Sequence, residues 1–279
     1  MQNKQIKMVG LDMDGTLLTS DKTLSEYTRK VLIEAIEQGC YVLLATGRPI
    51  SGIPDDLLHF PGMKYTVTSN GARIFNIETG ECIHECLLPV DKACEVLDIF
   101  ADYDHLQEAF VNGRGYTKKA SLDQVERYFF TEAAVDYMRR TRTPVVDVKE
   151  KILELGQLPD KVQGVFADMT ERQEAEDRVS RIPGLVATSA LGNNVEVNAV
   201  GADKGLGLLK LGEILGISRD EIMACGDGTN DSSMILAAGV GVAMGNAVDE
   251  VKAIADYITL TNDEDGVAKA IEKFVLHRE

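Results

Sequence analysis

Basic charge is scarce in this chain. Against 45 Asp and Glu residues stand 29 Lys and Arg, for a formal net charge of -16, and no long basic run appears. That balance excludes nucleic acid and anionic membranes as expected partners, while an anionic small substrate stays compatible with a site that carries its own local positive charge. Long apolar windows are also lacking: none approaches a membrane span, and no apolar signal core follows Met1-Gln2-Asn3-Lys4-Gln5. The five cysteines, Cys40, Cys82, Cys86, Cys94 and Cys225, are odd in number and lack metal-ligand spacing, so reduced thiols in a cytoplasmic protein are expected. His59, His84, His105 and His277 are scattered, which disfavours a histidine base or a zinc site. There is no Gly-x-x-x-x-Gly-Lys-Ser/Thr loop, and Gly239-Val240-Gly241-Val242-Ala243-Met244 has Met where a dinucleotide fingerprint needs Gly. Asn230-Asp231-Ser232 fits a glycosylation acceptor by chance in such a protein. No repeat or low-complexity segment stands out.

What the chain does have is length for two domains, 279 residues with 44% apolar content, and one stretch that organises the rest. Asp12-Met13-Asp14-Gly15-Thr16 follows Ile6-Lys7-Met8-Val9-Gly10-Leu11, an apolar run that reads as a strand buried on both faces. Carboxylates are costly to desolvate without a cation or donors, and the carboxyl edge of a parallel sheet is where open α/β folds place their sites. A helix over 24–38 follows, with Thr23 and Glu26 as its expected capping box. Tyr41-Val42-Leu43-Leu44-Ala45 reads as a second buried strand running into Thr46-Gly47-Arg48-Pro49, so a right-handed crossover brings Thr46 to the edge that holds Asp12. A third strand covers 65–69, and Asn70-Gly71 signals a hairpin turn.

From 88 the pattern changes. Helices are expected over 90–103, 122–140 and 171–182, a hairpin about Gly113-Arg114, and a strand over 162–167, without the strand-then-acid signature of the two ends. The reading is a second α+β domain, 88–196, inserted into a first made of 1–87 and 197–279. The carboxyl-terminal part returns to the opening style. A helix opens at Asp203-Lys204-Gly205 and stops at Gly216; strands at 222–225, 240–244 and 257–260 alternate with helices, and the first of them ends in Gly226-Asp227-Gly228-Thr229-Asn230-Asp231.

If both strands join one parallel sheet, Asp12, Asp14, Asp227 and Asp231 gather at one edge. Four carboxylates repel unless a hard divalent cation sits among them, and an all-oxygen set favours Mg²⁺ over zinc. That cation, Lys204, the Thr46 hydroxyl and the Gly47 N–H together suit phosphoryl oxygens. With an ordinary carboxylate range near 3.9, Asp12 would be ionised at neutral pH and able to attack phosphorus unaided. Asp14, two residues on, could protonate the leaving alcohol and then deprotonate water, provided its pKa is raised.

These segments resemble the haloacid dehalogenase-like hydrolases of the Cof type. The first motif of that family is similar to Asp12-Met13-Asp14-Gly15-Thr16, the second to Thr46, the third to Lys204, and the fourth to Gly226-Asp227-Gly228-Thr229-Asn230-Asp231, in the family's order. The resemblance implies a Rossmann-like parallel core with an inserted α/β cap that closes over the site and chooses the substrate. It also implies Mg²⁺-dependent phosphatase activity on small phosphorylated metabolites such as sugar phosphates. Asp12 would be the nucleophile and Asp14 the acid/base; the Asp12 carboxylate, the Asp14 carbonyl and Asp227 would hold the metal with Asp231 in support, and Lys204 and Asn230 would face the phosphate. Thr261-Asn262-Asp263-Glu264-Asp265-Gly266-Val267 is similar to the tail of Cof-type members.

Two other readings compete. A phosphomutase would use the same aspartate and differ in needing a bisphosphate activator to turn over. A non-catalytic phosphometabolite sensor would keep the site without turnover, which Asp14 argues against, because binding alone needs no proton donor. Among other basic residues, Arg48 suits a phosphate contact or a core salt bridge, and Arg114, Lys118 and Lys119 read as a solvated hairpin edge. Arg139, Arg140 and Arg142 read as complements to a helix carboxyl end. Oligomeric state is not encoded in any of these features.

Overall fold

The structure is a computed structural model that describes residues 5–278. The chain divides into two compact units: one holds the described residues up to Gly47, Pro54–Glu85 and those from Asp203 on, and the other holds Arg48–Ile53 and Cys86–Ala202. The second unit therefore runs past the 88–196 expected from sequence and also claims a short segment after Gly47. Local contacts explain that segment. Ser51 N donates to the Gly113 carbonyl at 3.2 Å, and the Arg48 guanidinium lies 4.5 Å from the centre of the Tyr137 ring.

In the first unit the chain enters through β1 (Met8–Leu11), buried along its whole length as an apolar run in a parallel sheet must be. The helix α1 (Glu26–Glu37) follows. Its cap is Ser25, whose hydroxyl accepts from Thr28 N at 3.0 Å; the expected Thr23 and Glu26 box does not form, because Thr23 meets the Thr19 hydroxyl at 3.0 Å instead. Then come β2 (Tyr41–Ala45), the short α2 (Asp55–Leu58), β3 (Tyr65–Thr68), β4 (Arg73–Asn76) and β5 (Cys82–Glu85).

The second unit contributes α3 (Val90–Phe100), β6 (His105–Val111), β7 (Arg114–Lys118), α4 (Lys119–Leu122), α5 (Glu132–Thr141), β8 (Arg142–Val145), α6 (Val148–Leu155), β9 (Lys161–Phe166), α7 (Met169–Val179), β10 (Leu185–Thr188) and β11 (Asn194–Ala199). The chain then returns to the first unit with α8 (Lys204–Leu215), β12 (Ile222–Gly226), α9 (Ser232–Ala237), β13 (Val240–Ala243), α10 (Asp249–Ile254), β14 (Tyr257–Ile258) and α11 (Gly266–Phe274).

The sheet of the first unit runs β14-β13-β12-β1-β2-β3-β4-β5. It is parallel from β14 through β3, and β4 and β5 are added antiparallel. Leu11 stands opposite both Leu44 and Cys225, so the residues that leave β1, β2 and β12 emerge side by side at one edge. Met8, Leu43, Val67, Leu208, Leu211 and Met234 fix α8 and α9 against one face, which is what locates that edge.

The sheet of the second unit runs β10-β11-β9-β6-β7-β8 and is antiparallel except between β7 and β8. Helices α3, α6 and α7 cover one face through Val96, Phe100, Ile152, Phe166 and Val179. Two elements here carry weak signals in the sequence. The strand β8 contains Pro144, which argues against a strand, and the helix expected over 122–140 breaks into α4 and α5 with turns between. Arg139 and Arg140 lie in the last turn of α5 as expected, and Arg142 caps that helix end, but its side chain turns inward from the start of β8 to pair with the buried Glu108 carboxylate.

Candidate active site

Asp12 is the residue after β1, and its N–H donates to the Cys225 carbonyl at 3.0 Å, so the backbone that carries the acid is an extension of the sheet ladder. One strand over, Gly226 ends β12 and the chain turns through Asp227, Asn230 and Asp231 before α9 begins. Oxygens of Asp12, Asp227 and Asp231 lie within 4.8 Å of one another. The parallel register inferred from sequence is what brings residues more than two hundred positions apart into one cluster.

Lys204 is the first residue of α8, a helix that Asp203 caps by accepting from Leu206 N at 2.8 Å. An ammonium at a helix amino terminus is unfavourable on dipole grounds alone. Its position is decided by the acids: Nζ lies 2.6 Å from Asp12 Oδ1 and 2.6 Å from Asp231 Oδ1, and the side chain is fully buried. The second oxygen of Asp231 accepts from the N–H groups of Asp227 and Gly228, each at 3.0 Å. Asp231 is thus a brace that holds both the lysine and the turn carrying Asp227.

Thr16 donates its hydroxyl to Asp227 Oδ1 at 2.7 Å, a contact the sequence motif contains without revealing. Between Asp14 and Thr16, Gly15 adopts a left-handed backbone (φ 84), and a Cβ there would lie 2.5 Å from Asp227 Oδ2. Only glycine permits the two acid-bearing loops to approach this closely.

Burial and the neighbouring Asp231 push the Asp12 carboxyl up to about 8, while the Lys204 ammonium opposes the rise. Burial likewise lifts Asp227 to about 6, with the Thr16 hydrogen bond opposing. Burial among acids thus sets Asp12 apart from the ordinary carboxylate expected from sequence, while the Lys204 ammonium at 2.6 Å and a bound cation favour its ionised form. Three clustered carboxylates stand beside one ammonium, and all the clustered donors are oxygens. That set fits a hard divalent cation such as Mg²⁺, and Asp12 and Asp227 are the carboxylates that could hold it.

Asp14 does not join this cluster through its side chain. Its carboxylate pairs with Lys22 Nζ at 3.0 Å, a partner with no sequence signal beyond its nearness in the chain. Thr46 leaves β2 buried, its N–H donating to the Val67 carbonyl at 2.9 Å, and Gly47 follows, half-buried. Asn230 is half-buried in the turn before α9, with its side-chain oxygen beside Gly228.

Two further residues escaped the sequence reading as site components. Asn246, after β13, donates to the Gly15 carbonyl at 2.8 Å and accepts from Asn262 N at 2.9 Å, while Asn262 Nδ2 donates to the Leu18 carbonyl at 2.9 Å. Together they tie the loop bearing Asp12 and Asp14 to the far end of the sheet. Asn262 lies in the tail segment singled out from sequence, and Asn246 had no such signal.

Comparison with known proteins follows the same lines. The chain is 33% identical over 279 residues to the 5-amino-6-(5-phospho-D-ribitylamino)uracil phosphatase YcsE of Bacillus subtilis, covering 99% of this chain and 98% of that one. It is 28% identical to the pyridoxal phosphate phosphatase YbhA of Escherichia coli, over 95% of this chain and 97% of that protein. A solved haloacid dehalogenase-like hydrolase from B. subtilis superposes with a TM-score of 0.85 at 29% identity, over 96% of this chain and 99% of its own. Residues 9–271 match the family described as haloacid dehalogenase-like hydrolase, and to that family this chain belongs.

Proposed function

We propose that the protein is a Mg²⁺-dependent phosphatase that hydrolyses small phosphorylated metabolites through an aspartyl-phosphate on Asp12. The observation that carries this reading is the shared lysine: Lys204 binds Asp12 and Asp231 at once, beside a third acid within cation-sharing distance. A purely structural lysine would need one acid, not a surplus of them.

In this reading an Asp12 oxygen attacks phosphorus as the bond to the leaving-group oxygen breaks, and Asp14 gives that oxygen its proton. Asp14 then takes a proton from water, whose oxygen attacks the aspartyl-phosphate; the bond between phosphorus and Asp12 breaks, releasing inorganic phosphate. Lys22 must release Asp14 for these proton transfers. Lys204, Asn230, the Thr46 hydroxyl and the Gly47 N–H face the phosphoryl oxygens. The Asp12 and Asp227 carboxylates and the Asp14 carbonyl, with Asp231 behind them, would hold Mg²⁺, whose positive charge would let an anionic phosphate approach an anionic nucleophile. The inserted unit is the part that selects the substrate. That YcsE and YbhA are named as phosphatases of a phosphoribitylaminouracil and of pyridoxal phosphate supports a small phosphomonoester, with sugar phosphates in the same class.

The test is inorganic phosphate release from a panel of sugar phosphates, nucleotides and cofactor phosphates, with and without Mg²⁺. Release that requires the metal and no bisphosphate activator is the expected result. No release from any ester in the presence of Mg²⁺ would sink the reading, and release only after adding a sugar bisphosphate would replace it with a mutase.

A further inference from the structure

The turn after β3 contains three consecutive residues with left-handed backbone: Ser69 (φ 51), Asn70 (φ 59) and Gly71 (φ 93). Glycine accepts this conformation freely and asparagine tolerates it, whereas serine does not. A two-residue Asn-Gly turn would place only its two central residues in this region, so the third, Ser69, goes beyond what a tight hairpin requires. Here four residues separate the paired Thr68 and Arg73.

What the strained turn touches explains it better. Asn70 N donates to the Thr46 carbonyl at 3.1 Å, the residue that ends β2 with a hydroxyl. Gly71 packs on the start of α8 so closely that a Cβ there would lie 2.2 Å from the Asp203 carbonyl oxygen. Asp203 is the cap of that helix and Lys204 its first residue. One turn further along α8, Gly207 faces the same spot, with room between it, Val67 and Gly71 for a hydrogen and little else. A single left-handed turn therefore has the backbone of Thr46 on one side and the helix start of Lys204 on the other.

We infer that Asn70 and Gly71 are positioning residues that set the Thr46 hydroxyl and the Lys204 ammonium at the spacing of one phosphoryl group, an inference that rests on the phosphatase reading above. Both act through backbone conformation. Any relaxation of the turn to negative φ slides α8 relative to β2 and misplaces Lys204, and displacements of about 1 Å at a reacting centre can cost on the order of a hundredfold in rate.

The experiment compares Asn70→Gly with Asn70→Ala. Both remove the amide side chain, and only glycine keeps free access to the left-handed region. The expected result is a kcat/KM within about twofold of wild type for Asn70→Gly and roughly tenfold lower for Asn70→Ala. The inhibition constant of inorganic phosphate should rise in parallel for Asn70→Ala, while its melting temperature stays that of Asn70→Gly, a split that general loosening of the fold would not produce. Gly71→Ala should be more severe in the same direction; if it fails to fold, the Asn70 pair, verified by thermal melts, carries the test alone. Equal losses in both Asn70 variants, or wild-type values in Asn70→Ala, overturn the inference. Wild-type protein assayed alongside separates the two levels: no phosphate release by wild type removes the phosphatase reading and this inference with it, whereas release by wild type and Asn70→Ala alike removes only the inference.

Discussion

Both units bury charge on a sheet, and they do it differently. In the second unit, Glu108 on β6 meets Arg142 on β8, the Thr117 hydroxyl at 3.1 Å and the Gln163 amide at 2.9 Å, while Lys161 on β9 pairs with Glu196 on β11 at 2.8 Å. Each of these buried acids has its own cation. In the first unit, Asp12 and Asp231 share Lys204, and Asp227, within 4.8 Å of both, is met by the neutral Thr16 hydroxyl. Balanced buried pairs can be replaced by apolar residues at little cost, whereas an unbalanced cluster has no such substitute because its surplus charge is what binds. The difference teaches where to look for chemistry: the mark is uncompensated charge, and burial of charge by itself is not.

Four substitutions or conditions break or sharpen that contrast. The largest effect is expected from Asp12→Asn. Turnover should fall by at least about a thousandfold, since an amide is no nucleophile, with the melting temperature kept or raised because one repelling carboxylate is gone. Phosphate release and thermal melts check both halves, and substantial residual activity would remove Asp12 from its role. Lys204→Met should be next, with turnover down about a hundredfold and the metal-free protein destabilised by about 3 kcal/mol, because Asp12 and Asp231 lose their shared cation. Denaturant melts with and without Mg²⁺ would show partial rescue by the metal.

In the second unit, Arg142→Met should also cost about 3 kcal/mol by leaving Glu108 buried and unpaired, and adding Glu108→Leu should recover most of it. The chemical step on a minimal phosphate ester should stay within about threefold in the double variant; a loss as large as that of Lys204→Met would erase the contrast between the units.

The last effect is a pH dependence, read through the thermal shift that Mg²⁺ produces. Folding raises the Asp12 and Asp227 carboxyls from 3.8 to about 8 and about 6, so the native state holds protons that the unfolded chain has released. In the metal-free protein their contribution to stability is fully present below pH 4 and is lost as pH rises towards 8. Mg²⁺ competes with those protons, so the thermal shift it produces should grow from pH 6 to pH 8. A shift that shrinks over that interval would mean that the cation binds elsewhere.

Much of this site is written in the chain because motifs at strand ends follow simple rules. Asp12 after an apolar run, Lys204 at a capped helix start and Asp227 after a second apolar run each carry a local signal, and parallel pairing converts those signals into one edge. The capping of α1 went to Ser25 because Thr19 captured Thr23, a competition between neighbours that no spacing rule resolves. Arg142 and Glu108 lie far apart in sequence, and the pairing of β7 with β8 that brings them together runs through a strand containing proline.

The sequence by itself determined which residue types stand at the strand ends, and therefore the family, the parallel core and the acids that gather there, because the period of buried strands and the turns that end them are local properties. Only the tertiary structure decided how those acids are compensated: that Asp231 braces Lys204, that Asp14 turns to Lys22, that Asn246 and Asn262 hold the first loop, and that Asp12 is buried beside the Lys204 ammonium. Electrostatic balance is a sum over neighbours in space, and the chain order does not contain that sum.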